Sequence, residues 1–176
     1  MNNVWQFDPA YTTVEFVVRN LWYRVKGRFT ELEGVIVLDE DDISRSSVTA
    51  TIKPRSIDTG NKRRDAHLLG ADFLDFEKYP DIIFESTRVQ RGRDRDSLDI
   101  AGRLTIKDKH VAVALAVNEM DRSRSPNGEE FVYYSATTEL DRHDFGMNYG
   151  GGLIGRRLRV TINVQASNKN RQGSYI

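Results

Sequence analysis

Cysteine is absent from this chain of 176 residues, and that absence excludes several kinds of chemistry. Without thiols the chain forms no disulfide, offers no thiol nucleophile and gives no thiolate ligand to a metal. Net charge is absent as well, since 26 basic residues balance 26 acidic ones. No overall field therefore attracts nucleic acid or an anionic membrane, and we expect no nucleic-acid partner.

Long hydrophobic runs are also missing. The longest, residues 111–117, is far shorter than the roughly 20 residues of a membrane-spanning helix. The opening MNNVWQFDPAYTTVEF lacks the basic and apolar regions of a secretory signal. We therefore expect no stable membrane insertion and a cytoplasmic location, or a secreted or periplasmic one if a signal has been removed. The composition fits one globular domain over residues 1–176, with a flexible tail at 168–176.

What the sequence does contain is alternation of apolar and polar residues, which is typical of strands with one buried face. It recurs about eight times, from VEFVVR near the N-terminus to RLRVTINVQA near the C-terminus. Polar segments separate the repeats, and the segment 118–128 ends in Asn127-Gly128, a dipeptide favoured in hairpin turns. No stretch alternates strands with helices, so the sequence predicts an all-β, antiparallel fold.

One segment departs from this period and predicts a short helical insertion near residues 61–77. Leu69, Phe73 and Phe76 have the spacing of an apolar helix face, and Asn61 precedes them as a candidate N-cap. Such a helix packs most simply across one mouth of a barrel or sandwich. Closing about eight strands into a barrel removes exposed edges, and the barrel then either fills with side chains or holds one small ligand.

The segment LDRHDFGMNYGGGLIGRR, residues 140–157, contains two patterns known from nucleotide-binding proteins. The glycines at 150–155 satisfy G-x-G-x-x-G, but that site needs a following helix and RRLRVTINVQA alternates as a strand. Asp-Phe-Gly at 144–146 lacks the kinase elements that should precede it. We interpret the glycines as a flexible span that forms a lip over the mouth. We expect Arg142 and Asp144 to make structural hydrogen bonds or ion pairs, so that Asp144→Ala would lower stability.

Groups for catalysis or metal binding are scarce. His67, His110 and His143 are isolated in sequence, and none has a partner at metal-ligand spacing. We therefore expect no metal site, no cofactor and no catalytic residue. Arg64 and His67, near the start of the predicted helix, are candidates for binding an anionic head group. The alternative is a solvated charged face in which Arg64 and Asp65 make local ion pairs.

Five segments also resemble, in the same order, the segments of one known family. They are VWQFDPAYTTVEFVVRNL, GRFTELEGVIVLD, SIDTGNKRRDAHLLGADFLDFEKYPDIIFEST, GRLTIKDKHVAVAL and ATTELDRHDFG. On these segments the chain resembles the YceI-like polyisoprenoid-binding family over nearly its full length. The resemblance implies a lipocalin-like antiparallel β-barrel around a long hydrophobic pocket, an amphiphilic polyisoprenoid ligand such as a quinone or prenyl phosphate, and often a homodimer. Asn20 departs from the family, which commonly has His there.

Together, these features predict non-enzymatic binding of a long-chain isoprenoid lipid, for carriage, storage or sensing. Burial of the chain would supply most of the affinity, at roughly 25 cal/mol per Å² of apolar area. Arg64 and His67 are the candidate head-group ligands, and ten inward-facing residues are the candidate wall. The wall residues are Phe16, Val18, Phe29, Ile36, Phe73, Phe84, Leu104, Leu115, Tyr134 and Leu158. Each of them would serve equally well in ordinary core packing.

Two other functions are compatible with the same sequence. In the first, the barrel is filled and the protein has a structural or regulatory role, with the polar segments 118–128 and 141–157 binding a partner. In the second, the protein is an enzyme that acts on a lipid in the pocket. That function needs an acid or base inside the barrel, whereas alternation points Glu15, Lys26 and Asp99 outward.

Because both nucleotide patterns lack their structural context, we predict that ATP with Mg²⁺ leaves the melting temperature of the protein unchanged. Thermal unfolding followed by circular dichroism over a range of ATP concentrations checks this. A ligand that binds the native state raises its stability as the ligand concentration rises. An upward shift that grows with ATP would therefore restore the nucleotide interpretation.

Overall fold

The computed structural model describes residues 2–168, which form eleven strands and one α-helix. The elements are β1 Asn2–Phe7, β2 Thr13–Asn20, β3 Arg24–Phe29, β4 Leu32–Asp39, β5 Ser47–Ile52, β6 Ile57–Asp58, α1 Lys62–Leu68, β7 Ile82–Arg91, β8 Ser97–Ile106, β9 Lys109–Arg124, β10 Glu130–Asp141 and β11 Ile154–Asn168. Of the tail predicted at 168–176, residue 168 ends β11 and the rest lies outside the described residues.

The eleven strands form eight continuous lines, because β1–β2, β3–β4 and β5–β6 each continue across a bend. Neighbouring lines pair antiparallel in chain order. The last line then returns to the first, since β11 pairs with β2 over most of its length and with β1 near its end. The predicted antiparallel barrel of about eight strands is confirmed, and it is closed.

The bend between β1 and β2 is joined to β11 by polar contacts. Thr12 is 1% exposed, and its hydroxyl accepts from the Gln165 amide and donates to the Gln165 carbonyl, both at 3.3 Å. The Asp8 amide donates to the same carbonyl at 2.7 Å. A buried backbone group without a partner is costly, so these contacts let the first line bend without losing its bonds to β11.

The loops lie at two ends of the barrel. The upper end carries residues 21–23, 59–81, 107–108 and 142–153; the lower end carries residues 40–46, 92–96 and 125–129. At the lower end the buried Trp5 ring lies beside the partly exposed Arg122, whose guanidinium is 5.6 Å from the ring centroid. Arg122 also forms ion pairs of 2.8 Å with Glu40 and Glu119. Burial and the nearby Glu119 raise the pKa of Tyr134 to about 12, so its hydroxyl stays protonated.

The helix lies at the upper end, where it was predicted, but it is shorter than the predicted 61–77. Asn61 is the N-cap and accepts from the Arg64 amide at 3.0 Å, whereas the helix ends at Leu68. Successive turns follow, and Asp75 there has a φ of +47°. They still bury the side chain of Phe73. No helix within residues 2–168 has both the length and the apolar character to cross a bilayer.

The polar segment 118–128 is mostly strand, which corrects its interpretation as a long loop. β9 continues through it to Arg124, which pairs with Glu130 at the start of β10. Only residues 125–129 form the turn, and Gly128 has the positive φ of 88° expected of the Asn-Gly dipeptide. Of the two segments that were expected to bind a partner, 118–128 and 141–157, only the second contains a long loop, at residues 142–153.

Arg142 holds that loop together. It is 3% exposed and donates to the carbonyls of Met147, Tyr149, Gly151, Ile154 and Gly155 at 2.6–3.3 Å. Burial lowers the pKa of its guanidinium below the usual value, but an arginine in a protein remains charged. The structural hydrogen bonds predicted for Arg142 are thus present. They hold the glycine-rich loop in place through its backbone carbonyls.

Asp144, by contrast, is exposed, and its carboxylate makes no hydrogen bond or ion pair within the described part of the chain. The expectation that it stabilises the loop is wrong. Its neighbour Phe145, which is 1% exposed, packs into the core instead. In the Asp-Phe-Gly pattern the residues that matter for the fold are therefore Phe145, which packs into the core, and Gly146, which has a φ of +72°.

We predict that Arg142→Lys lowers the free energy of unfolding by about 3 kcal/mol, because one ammonium cannot satisfy five carbonyls and some of them stay buried without a donor. Asp144→Ala should change it by less than ~0.5 kcal/mol, as expected for an exposed side chain without partners. Urea denaturation of both variants measures the difference. Equal effects of the two substitutions would contradict the roles assigned here.

Candidate functional site

The inward faces of the strands enclose a cavity of about 420 Å³, within the usual size of small-molecule pockets. All twelve residues predicted from the sequence as wall or head-group ligands line it. They are Phe16, Val18, Phe29, Ile36, Phe73, Phe84, Leu104, Leu115, Tyr134, Leu158, Arg64 and His67. The structure brings them together around one space, and that they bind a ligand stays a prediction.

The cavity is long as well as apolar. Leu98 and Ile106 both line it and lie eight residues apart on β8, which is roughly 25 Å along an extended strand. Its wall consists almost entirely of aliphatic and aromatic side chains, and no carboxylate of the described residues lines it. Glu15, Lys26 and Asp99 are exposed on the outside, as alternation predicted. This shape and polarity suit a chain-like apolar molecule.

Glycines in the wall keep the lumen open. Phe16 and Gly27 are cross-strand partners, and a Cβ on Gly27 would lie 2.3 Å from the Phe16 ring. A Cβ on Gly102 would lie 2.4 Å from the ring of Phe84. Both rings therefore lie flat against backbone instead of projecting across the barrel. Sequence reasoning missed these glycines, although a glycine within an alternating strand signals a close approach.

The mouth of the cavity lies at the upper end. The lining residues that are exposed, Tyr23, His67 and Tyr149, are all there. His67 contacts Tyr149 edge to face at 4.8 Å between ring centroids, and Phe73 lies 5.2 Å from His67 and 5.4 Å from Tyr149. The helical segment and the loop 142–153 thus meet over the opening through an aromatic cluster, which narrows the mouth.

Arg64 and His67 both bring side-chain nitrogen atoms to the mouth. Arg64 donates to the hydroxyl of Thr59 at 2.8 Å and to its carbonyl at 2.7 Å, which leaves Nη1 without a partner among residues 2–168. The local ion pair considered for Arg64 and Asp65 is not formed, because Asp65 accepts from Thr59 instead. His67 Nε2 lies 2.9 Å from a carboxylate oxygen of Asp72. The mouth can therefore present a guanidinium edge to a polar head group.

Asn20, Tyr23 and Tyr149 also line the cavity, and sequence reasoning did not select them. Tyr23 and Tyr149 lie in connecting segments, where alternation carries no information about direction. Asn20 carried a signal, because it departs from the histidine common in the resembled family. Asn20 ends β2 and therefore lies at the mouth of the cavity.

A closed, eight-stranded antiparallel barrel around an apolar cavity that opens at one end has the lipocalin-like architecture of small-ligand-binding barrels. The family described as YceI-like domain matches residues 5–166, and the chain belongs to that family. A UPF0312 protein of Pseudomonas paraeruginosa is 31% identical over 159 residues, which cover 90% of this chain and 82% of the relative.

Solved structures share the fold. BcnA of Burkholderia cenocepacia superposes with a TM-score of 0.81 at 20% identity, over 90% of this chain and 98% of BcnA. A polyisoprenoid-binding domain from Saccharophagus degradans, implicated in plant cell wall breakdown, has a TM-score of 0.66 at 13% identity, over 93% of this chain and 98% of that domain. At these identities the likeness establishes the common barrel and nothing finer.

We predict that Ala136→Phe, which adds a ring inside the lumen, weakens binding of the apolar fluorophore N-phenyl-1-naphthylamine about tenfold, or ~1.4 kcal/mol. Ala112→Phe is the matched control, because Ala112 is exposed on the outer face of β9. A fluorescence titration of both folded variants makes the comparison. Binding that is weakened equally in the two, or in neither, would mean that the probe does not enter the barrel.

Proposed function

We propose that this protein binds one amphiphilic polyisoprenoid, or a similar long-chain lipid, without converting it chemically, and so carries, stores or senses it. The observation that supports this function best is the elongated apolar cavity, with Trp5 and Arg122 at the lower end of the barrel and Arg64 and His67 at the mouth. The chain of the lipid would lie along the barrel, and its head group would stay at the mouth.

Burial of the chain supplies most of the affinity. Each 100 Å² of apolar lipid surface removed from water contributes about 2.5 kcal/mol, and association and chain ordering offset part of that gain. Nη1 of Arg64, which has no partner among residues 2–168, would add a charge-assisted hydrogen bond to a phosphate or a carbonyl oxygen. Discrimination between lipids would thus come from the head group and from chain shape, because the apolar wall itself is not selective.

Family membership and the fold shared with a polyisoprenoid-binding domain support this choice of ligand class. The cavity also argues against the two other functions considered. A filled barrel would not leave about 420 Å³ open. A lipid-converting enzyme needs an acid and a base near the chain, whereas the titratable groups that line the cavity are mostly gathered at its two ends.

Native mass spectrometry tests the proposal with a polyprenol and the matching polyprenyl phosphate, each delivered from detergent. We predict a complex with one lipid per chain and tighter binding of the phosphate. The spectra also distinguish a monomer from the homodimer that the family resemblance led us to expect. A protein that takes up neither lipid would refute the proposed function.

Arg64→Gln should weaken binding of the phosphate about tenfold and leave the polyprenol unaffected, because only the phosphate uses the guanidinium. Arg63→Gln is the matched control: Arg63 is the neighbouring residue, is exposed, and does not line the cavity. Equal losses in the two variants would indicate a general effect of charge and not a head-group contact.

A further inference from the structure

The hairpin tip between β2 and β3 exposes three consecutive large apolar residues. Leu21 is 59% exposed, Trp22 87% and Tyr23 57%. Leu153, 67% exposed, lies beside them, because its carbonyl accepts from the Leu21 amide at 3.2 Å. Two separate loops thus contribute to one apolar tip. The other large apolar residues that are exposed within residues 2–168, such as Tyr11 and Met120, stand singly in the sequence.

Two arginines form the base of this apolar tip. Arg19 and Arg24 face each other directly across β2 and β3, are both exposed, and form no ion pair among the described residues. Like charges opposite each other on neighbouring strands are destabilising. The nearby Arg156 differs, because it is paired with Asp141 at 2.6 Å. Within residues 2–168 the charge of Arg19 and Arg24 is therefore uncompensated, directly beside exposed Trp and Leu side chains.

We propose that the apolar tip docks the mouth of the barrel on the surface of a lipid bilayer that contains anionic lipid. Trp22, Leu21 and Leu153 enter the interfacial layer, where tryptophan is favoured, and Arg19 and Arg24 contact the anionic head groups. The inference rests on the proposed function, because a lipid-binding cavity needs access to the membrane that holds its ligand. The same hairpin supplies Tyr23 to the cavity wall, so docking places the opening against the bilayer.

Charge and area favour a bilayer over a second copy of the chain. Four side chains offer far less than the roughly 800 Å² per partner of a stable protein interface. Two copies that met tip to tip would also bring Arg19 and Arg24 of each copy together, which adds repulsion. A bilayer can take up a few apolar side chains, and its anionic head groups supply the charge opposite to that of the arginines. Such docking is peripheral and reversible, and added salt weakens it.

The two tryptophans make the docking measurable. Trp22 lies at the apolar tip, whereas Trp5 is 1% exposed at the lower end of the barrel and cannot reach a docked bilayer. We expect vesicles of phosphatidylcholine with phosphatidylglycerol to shift tryptophan emission to the blue, and brominated acyl chains to quench it. Trp22→Phe should abolish both signals and leave the emission of Trp5. Vesicles of phosphatidylcholine alone should bind at least tenfold more weakly.

Variants separate the apolar contribution from the charged one. Leu21→Ser with Trp22→Ser should reduce cosedimentation with anionic vesicles at least tenfold, whereas Met120→Ser, an equally exposed site near the lower end, should not. Arg19→Glu with Arg24→Glu should remove the preference for phosphatidylglycerol, whereas Arg93→Glu with Arg95→Glu in the β7–β8 turn should keep it. All these variants retain Tyr23 and the cavity wall, so each should still take up polyprenyl phosphate from detergent.

The outcomes distinguish this inference from the proposed function. If no vesicle binds, or if the tip variants bind like the unchanged protein, docking is wrong, and lipid uptake from detergent still decides the proposed function. If vesicles bind but no lipid is taken up, docking stands as a surface property and the proposed function fails. If the protein forms a dimer and the Leu21→Ser, Trp22→Ser variant does not, then the apolar tip contacts a second copy of the chain and not a bilayer.

Discussion

The whole barrel depends on one set of hydrogen bonds, those by which β11 pairs with both β2 and β1. This pairing turns a meander of eight lines into a ring, and only a ring encloses a cavity. Thr12 makes it possible, because its buried hydroxyl keeps the bent first line bonded to Gln165. The two ends of the chain must meet before the ring exists, and contacts so distant in sequence form slowly in folding.

Alternation predicted the wall well, because side chains in a strand point to opposite faces in turn whatever the neighbouring strand is. It did not predict the mouth, where Tyr23 and Tyr149 point into the cavity because tertiary contacts orient their loops. It also missed the extension of β9 to Arg124, since residues 118–124 are polar apart from Met120 and show no alternation. The helix was predicted too long for a related reason: the apolar spacing of Leu69, Phe73 and Phe76 continues through turns that bury Phe73 equally well.

Whether the barrel is open or filled was beyond prediction from one sequence, because it depends on register. Phe16 lies flat against the wall only because the pairing of β2 with β3 puts Gly27 opposite it. A shift of the register by two residues would keep every apolar side chain inside and place the same ring against a bulkier partner. The volume of the lumen is therefore set by particular cross-strand pairs, whereas its polarity is set by the alternation of apolar and polar residues along each strand.

The five carbonyls around Arg142 have a consequence for how this mouth can diversify. Because the guanidinium contacts only backbone oxygens, the side chains of Asn148, Tyr149 and Leu153 contribute nothing to these bonds and can change, whereas Gly150 and Gly151 have the positive φ angles that the path of the loop requires. The bonds that hold the loop in place are thus separate from the side chains that surround the mouth. Side chains at the mouth can therefore vary at these positions at little cost in stability, which suits a scaffold shared by divergent relatives.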